Sequence, residues 1–304
     1  MFKNYFKTAW RNLRKNRVLS LINILGLTIG ITVCLMIFIF IVNEFNHDSF
    51  HKDGARIYRV MRGFESEGKS KSVAYLSGMY APALENEYRG LIEEVIRVNQ
   101  NDNLITLGDR SFHEKKIINP DSNFFSFFSF PLLKGDPKTA LKDPHSIVLT
   151  ETVAKKYFGD ASEAMGKTLM LDKDIPLKVT GIAKDISSNS HLEFDIIIPL
   201  ENYKDASWMT NWSNNGIYSY VKLAPNVSEA QIEKQLPAFM EKYMGSNMRK
   251  FGFKFTLSMT PLKDVYFSNE SFDGVKHGDR TVVYIFLSIA ALILLIACIN
   301  FINL

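Results

Sequence analysis

Residues 18–43 read VLSLINILGLTIGITVCLMIFIFIVN. The run holds 26 residues and no charged side chain. As a helix it would extend about 39 Å, and about 20 apolar residues already cross a bilayer's hydrocarbon core. Residues 281–304, TVVYIFLSIAALILLIACINFINL, form a second uncharged run of 24 residues. Two such runs are hard to enclose in one soluble core, so both read as transmembrane helices. A cleaved signal peptide does not fit the first. Signal cores run to about 15 apolar residues and end at small side chains, whereas this run leaves through Asn43-Glu44-Phe45-Asn46.

Charge is segregated around these runs. Lys3, Lys7, Arg11, Arg14, Lys15 and Arg17 precede the first, with no acid among them. All 32 acids lie between Glu44 and Arg280, together with 30 of the 36 basic residues, a local balance of −2. The formal charge of +4 is therefore a basic tail beside a near-neutral domain, which argues against nucleic acid as a partner. By the positive-inside rule the N-terminus is cytoplasmic and the intervening residues 44–280 are extracytoplasmic. Cys34 and Cys298 are the only cysteines and both sit in the apolar runs. The outer region is large enough to bury a core without a disulfide.

Residues 1–17 form an amphipathic segment at 100° per residue. Phe2, Phe6, Trp10 and Leu13 share one arc, with Ala9, and Lys7, Arg11, Arg14 and Lys15 oppose them, with Lys3. With Arg17 these predict a membrane-interface anchor on anionic lipid. Gly26 and Gly30 make a small-xxx-small pair where another helix could approach.

The outer region reads as α+β. A strand is expected over 55–61, a helix over 77–89 stopped at Gly90, and a strand over 94–99. A second such unit follows: a strand over 217–223, a capping box at Ser228–Gln231, a helix carrying Ile232, Leu236, Phe239, Met240 and Tyr243 with a kink at Pro237, and a strand over 253–257. Two β-α-β units can share one sheet. Residues 101–212 have a β-rich texture, with strands at 146–149, 177–182 and 194–198. A helix over 151–158 follows Thr150 as N-cap and stops at Gly159. They read as an inserted subdomain.

Chemistry-bearing motifs are sparse. Residues 63–70, GFESEGKS, match a phosphate-binding loop in letters. That loop needs a buried helix opening at the Lys-Ser pair. Here Lys-Ser-Lys-Ser follows, and Glu65 and Glu67 would repel phosphate, so a charged hairpin is expected. His47, Asp48, His51 and Asp53 could ligate a metal, but no further ligand is identifiable, and a solvated stalk is the expectation. Phe124, Phe125, Phe127, Phe128 and Phe130 are either a sticky surface or core; core is expected. No nucleophile constellation is present. No catalytic residue, cofactor or metal is assigned.

The order of parts resembles the N-terminal portion of bacterial MacB-like and FtsX-like ABC transporter permeases. The resemblance is carried by FKNYFKTAWRNLRKNRVLSLINILGLTIGI at residues 2–31, NEFNHDSFHKDGARIYRV at 43–60, SFPLLKGDPKTALKDPHSIVLTETVAKKYFG at 129–159, LKVTGIAKDI at 177–186 and IACINFINL at 296–304. It implies a Porter-like sheet over 55–100 and 213–267 and a Sabre-like insertion over 101–212, within a periplasmic core domain at 44–280. Transmembrane helices at 18–43 and 281–304 flank that domain. It further implies an inner-membrane permease coupled to a cytoplasmic ABC ATPase subunit, pairing with a second permease half or copy, and a periplasmic adaptor in some assemblies. ATP hydrolysis in the partner would drive export or release of an antimicrobial peptide, drug or lipoprotein. The family's ATPase-coupling loop follows the second span, so a chain ending at Leu304 is expected to be one portion of a permease that does not transport alone. A two-span receptor with an outer sensor domain would share the same topology.

Overall fold

The computed structural model describes residues 11, 14–15, 17–66, 69–252, 254–268 and 274–302. The chain separates into two compact units, Met1–Asn46 with Gly278–Leu304, and His47–His277.

The first unit holds α1 (Arg17–Phe45) and α9 (Arg280–Ile302). Within them Ser20–Phe45 and Arg280–Phe301 have mean hydropathies of 2.8 and 3.0, and both are long enough to cross a membrane. Leu21, Ile22, Phe38, Leu287 and Leu295 are exposed along them, as lipid-facing side chains are. Thr28 and Thr32 return their hydroxyls to the carbonyls of Ile24 and Thr28, at 2.7 and 2.8 Å. This satisfies polar groups that hydrocarbon would leave bare.

In chain order the second unit contains β1 (Ile57–Ser66), β2 (Lys69–Val73), β3 (Tyr75–Leu76), α2 (Tyr80–Glu87), β4 (Ile92–Leu107) and β5 (Arg110–Pro120). Next come α3 (Phe124–Phe127), β6 (Leu132–Lys134), β7 (Ser146–Thr150), α4 (Glu151–Phe158), β8 (Thr168–Leu171) and β9 (Ile175–Ala183). β10 (Ile196–Ile197), α5 (Ser207–Thr210), β11 (Ile217–Leu223), α6 (Glu229–Glu233), α7 (Leu236–Phe251), β12 (Lys254–Pro261) and α8 (Leu262–Val265) complete it.

The two β-α-β units interleave in the order β12-β1-β11-β4, every neighbour antiparallel. This is the split β-α-β arrangement of ferredoxin-like sheets. Alternation along β1 separates two cores. Val60 joins Leu84, Leu236 and Phe239 under α2 and α7, while Ile57 and Met61 join the Phe124–Phe130 cluster on the other face. With both faces covered, all seven residues of β11 are buried. The phenylalanine stretch is thus core.

β4 runs on past residue 100 with a register shift between Asn101 and Asn103. A bulge there re-aims the strand. Its second half pairs with β5 and β8, and the pairings β4-β5-β10-β7-β9-β8-β4 close a ring of six strands. Closure removes the exposed edges that isolated strands would present. Ile105, Ile117, Leu149, Leu169, Leu177 and Ile196, one from each strand, share a third core with Tyr157 of α4.

Local details differ from the sequence expectations. Gly54–Arg56 is a 3-10 turn, so the first strand starts at Ile57. The helix breaks at Lys234-Gln235 and does not kink at Pro237: α6 ends at Glu233 and α7 starts at Leu236, with proline in its first turn, where a missing N–H costs nothing. Thr150 holds the N-cap position of α4, but its hydroxyl makes no capping bond. Asp185 caps the helix from a distance, accepting from Thr152 N–H at 3.0 Å and Thr152 Oγ1 at 2.8 Å.

Candidate functional site

The short polar stretch after the first span is not a solvated stalk. His47, Asp48 and His51 are at most 4% exposed. Only Asp53 stays near solvent, paired with Arg56 at 2.8 Å. The reason is a partner 143 positions away in the chain. Asp48 adopts φ 58°, a left-handed conformation that aspartate tolerates better than most residues. That turn aims its carboxylate into the domain.

There the carboxylate collects donors from the loop between β9 and β10. Ser190 Oγ donates to Oδ1 at 3.2 Å. The His191 amide donates across both oxygens at 3.2 and 3.3 Å. His191 Nδ1 lies 2.9 Å from Oδ2. Asp48 N–H in turn donates to Asn189 O at 2.8 Å. On its far side His191 Nε2 meets Tyr220 Oη at 2.8 Å. Tyr220 belongs to β11, the fully buried strand. A chain of contacts thus runs from the entering segment, through one loop, into the middle of the sheet.

His51 faces the same carboxylate, Nε2 to Oδ1 at 3.7 Å. Its Nδ1 accepts the Ser129 amide at 3.0 Å. Accepting at Nδ1 fixes the neutral tautomer with its proton on Nε2. Burial pushes this ring below the ordinary histidine pKa, against the pull of Asp48. Burial also resists the charge on Asp48, but His191 and His51 outweigh it and hold its carboxyl well below the usual range.

The segment that leaves the domain is held at the same loop. Lys276 Nζ donates to Ser188 O at 2.8 Å, and Gly274 N–H donates to Tyr218 Oη on β11 at 2.8 Å. A side chain at Gly274 would sit 2.7 Å from Tyr75 Oη, so any larger residue would have to displace that hydroxyl. Residues 188–191 therefore fasten both the entry and the exit of the domain. A cleft of about 700 Å³ lies beside them, with His191, Lys116, Glu193 and Lys276 in its wall.

This node does not suit a metal. A ligating imidazole donates through its other nitrogen, and His51 accepts there. Among the described residues no set of three His, Cys, Asp or Glu could hold an ion. In the 63–70 stretch, Lys69 opens a strand paired back on β1 and not the helix a phosphate-binding loop needs.

Of the expected anchor residues, Arg11, Arg14, Lys15 and Arg17 are helical and exposed. Phe2, Phe6, Lys7, Trp10 and Leu13 lie outside the described residues. Gly26 and Gly30 face α9: an added Cβ at Gly30 would lie 3.4 Å from Ala297 Cβ, and at Gly26 3.6 Å from Asn300 Nδ2. Nearby Cys34 Sγ donates to Ala290 O at 3.4 Å.

Residues 20–239 match the model of the MacB-like periplasmic core domain family. Among solved structures, a domain of a candidate permease protein from Porphyromonas gingivalis is 24% identical with a TM-score of 0.62, over 78% of this chain and 98% of the other. The periplasmic region of MacB from Actinobacillus actinomycetemcomitans is 18% identical with a TM-score of 0.46, over 66% and 88%. The extracellular domain of the noncanonic ABC-type transporter YknZ from Gram-positive bacteria is 13% identical with a TM-score of 0.43, over 67% and 99%. No curated protein sequence matches the chain.

Proposed function

The chain belongs to the MacB-like periplasmic core domain family, and from that premise we propose that it is a permease component of an ABC transporter of the MacB/FtsX type. It is a membrane protein with an extracytoplasmic domain. We assign it to the bacterial inner membrane, with residues 55–100 and 213–267 as the Porter-like part and 101–212 as the Sabre-like part. Its partners are a cytoplasmic ABC ATPase, a second permease half or copy, and the lipid surface under the basic N-terminus. A periplasmic adaptor fits the same scheme. The substrate class is an antimicrobial peptide, a drug or a lipoprotein.

One observation carries the reading: the family match starts inside the first apolar helix and continues into the sheet domain as far as residue 239. The node supports a mechanical role. Entry and exit of the domain are tied by hydrogen bonds to one loop and to the central strand β11, so force arriving along either connection reaches the sheet. The ATPase site is expected in the partner, and this chain contributes binding and movement.

The test uses the protein tagged at its own locus and purified from membranes. An ABC-type ATPase is expected to copurify. Trapping it with ADP and vanadate is expected to change amide exchange in residues 47–277. Absence of any such ATPase, or identical exchange with and without trapping, would contradict the proposal.

A further inference from the structure

We propose that Asp48, His51 and His191 form a pH-sensitive latch, which holds the entering segment closed at neutral pH and loosens it when the surroundings turn acidic. The proposal rests on the reading of this node as the fastening of the entering chain to the sheet.

The geometry carries it. His51 is fully enclosed, with its side chain 0% exposed. It sits among the rings of Phe50, Phe128 and Phe130. Besides Asp48 and His191 it meets the Ser129 amide, which occupies Nδ1 as a donor. A second proton would have to sit on that nitrogen and face another N–H. Among the described residues no acceptor meets Nδ1, where the Ser129 N–H already points, and an unmatched buried donor is costly. Protonation and closure therefore exclude each other.

The groups facing His191 do not supply a substitute. Asp48 and Tyr220 meet its two nitrogens, and Phe128 packs on its ring. In the cleft wall Lys116 is neutralised by Glu193 at 2.8 Å, while Lys276 adds a positive charge near the loop. The cleft gives protons from solvent a path toward the loop.

The direction follows from proton counting. Closed, His51 stays neutral below its ordinary pKa; released, it takes up a proton as pH falls below about 6.5. The released form then binds more protons, so closure weakens with falling pH. Asp48 acts in the same direction lower down. Its latched carboxyl stays charged, and that stabilisation is lost as the pH drops through its ordinary value of about 3.9 and below.

Amide exchange of the full chain in nanodiscs tests this, with intrinsic rates corrected at each pH. The amides of Asp48, Ser129 and His191 report the latch, and those of β11 serve as reference. Between pH 7 and pH 5 the corrected reporter rates are expected to rise up to about 25-fold relative to β11, the ratio for a histidine that titrates near 6.5 only when released. In His51→Asn the side-chain oxygen can still accept from Ser129 but cannot titrate, so most of the pH dependence is expected to vanish. Unchanged reporter rates in the wild type overturn the latch, as does a wild-type pH dependence in His51→Asn. If that variant fails to fold, the wild-type comparison decides alone, because the Ser129 amide reads the His51 acceptor directly. No nucleotide enters this test, so its failure is distinct from a failure of ATP coupling.

Discussion

At the residue scale, Asp48 concentrates the energetic risk. Its carboxylate is buried and answers four donors or rings at once. Removing one partner of a buried charged network leaves the others unpaired and typically costs about 3–5 kcal/mol. Asp48→Ala is therefore expected to lower chemical-denaturation stability by that order, while Asp53→Ala, at the exposed pair with Arg56, should cost under about 1 kcal/mol. Equal effects would contradict the burial described. Tyr220→Phe removes the hydroxyl facing His191 Nε2 and should cost about 1–3 kcal/mol by leaving that nitrogen unsatisfied. The sequence shows the cluster His47, Asp48, His51 and Asp53 but not its burial. A short polar run after a span looks like a solvated stalk, and nothing local marks His191 or Tyr220 as its partners.

At the element scale, the contrast between local and distant signals repeats. The Ser228 N–H donates to Gln231 Oε1 at 2.7 Å, a cap legible from a spacing of three. The cap of α4 comes instead from Asp185, 33 positions downstream of Thr152, whose amide and hydroxyl it accepts, and Thr150 only occupies the place. Asp185→Ala is expected to destabilise the domain by about 1 kcal/mol, and Thr150→Ala by clearly less; thermal melts of the two variants decide the order. The apolar helices were legible in full because a charge-free run needs no partner to be recognised. Their packing at Gly30 adds a further expectation. With Ala297 Cβ only 3.4 Å from an added Cβ, Gly30→Leu should force α1 and α9 apart. Disulfide trapping between the native Cys34 and a cysteine placed at residue 290 should then fall several-fold; undiminished trapping would mean that the glycine is incidental.

At the scale of the whole molecule, the sequence conveys the two β-α-β units and their β-rich interruption, because each strand carries its own alternation. It does not convey that β4 serves both parts, nor that six strands close into a ring. Closure depends on β10, only two residues long, and on pairings between distant segments, neither of which leaves a periodic trace. In chain order the sheet domain falls between the two apolar helices, and its own entry and exit segments are fastened at one loop. This domain is expected outside the cytoplasm, with the basic N-terminus within it. Single cysteines at Lys173, exposed in the β8–β9 turn, and at Arg14, in a chain whose Cys34 and Cys298 are replaced by alanine, test it directly in intact cells with a membrane-impermeant maleimide. Lys173→Cys is expected to label in intact cells and Arg14→Cys only after lysis; labelling of Arg14→Cys in intact cells, with Lys173→Cys protected until lysis, would contradict the account.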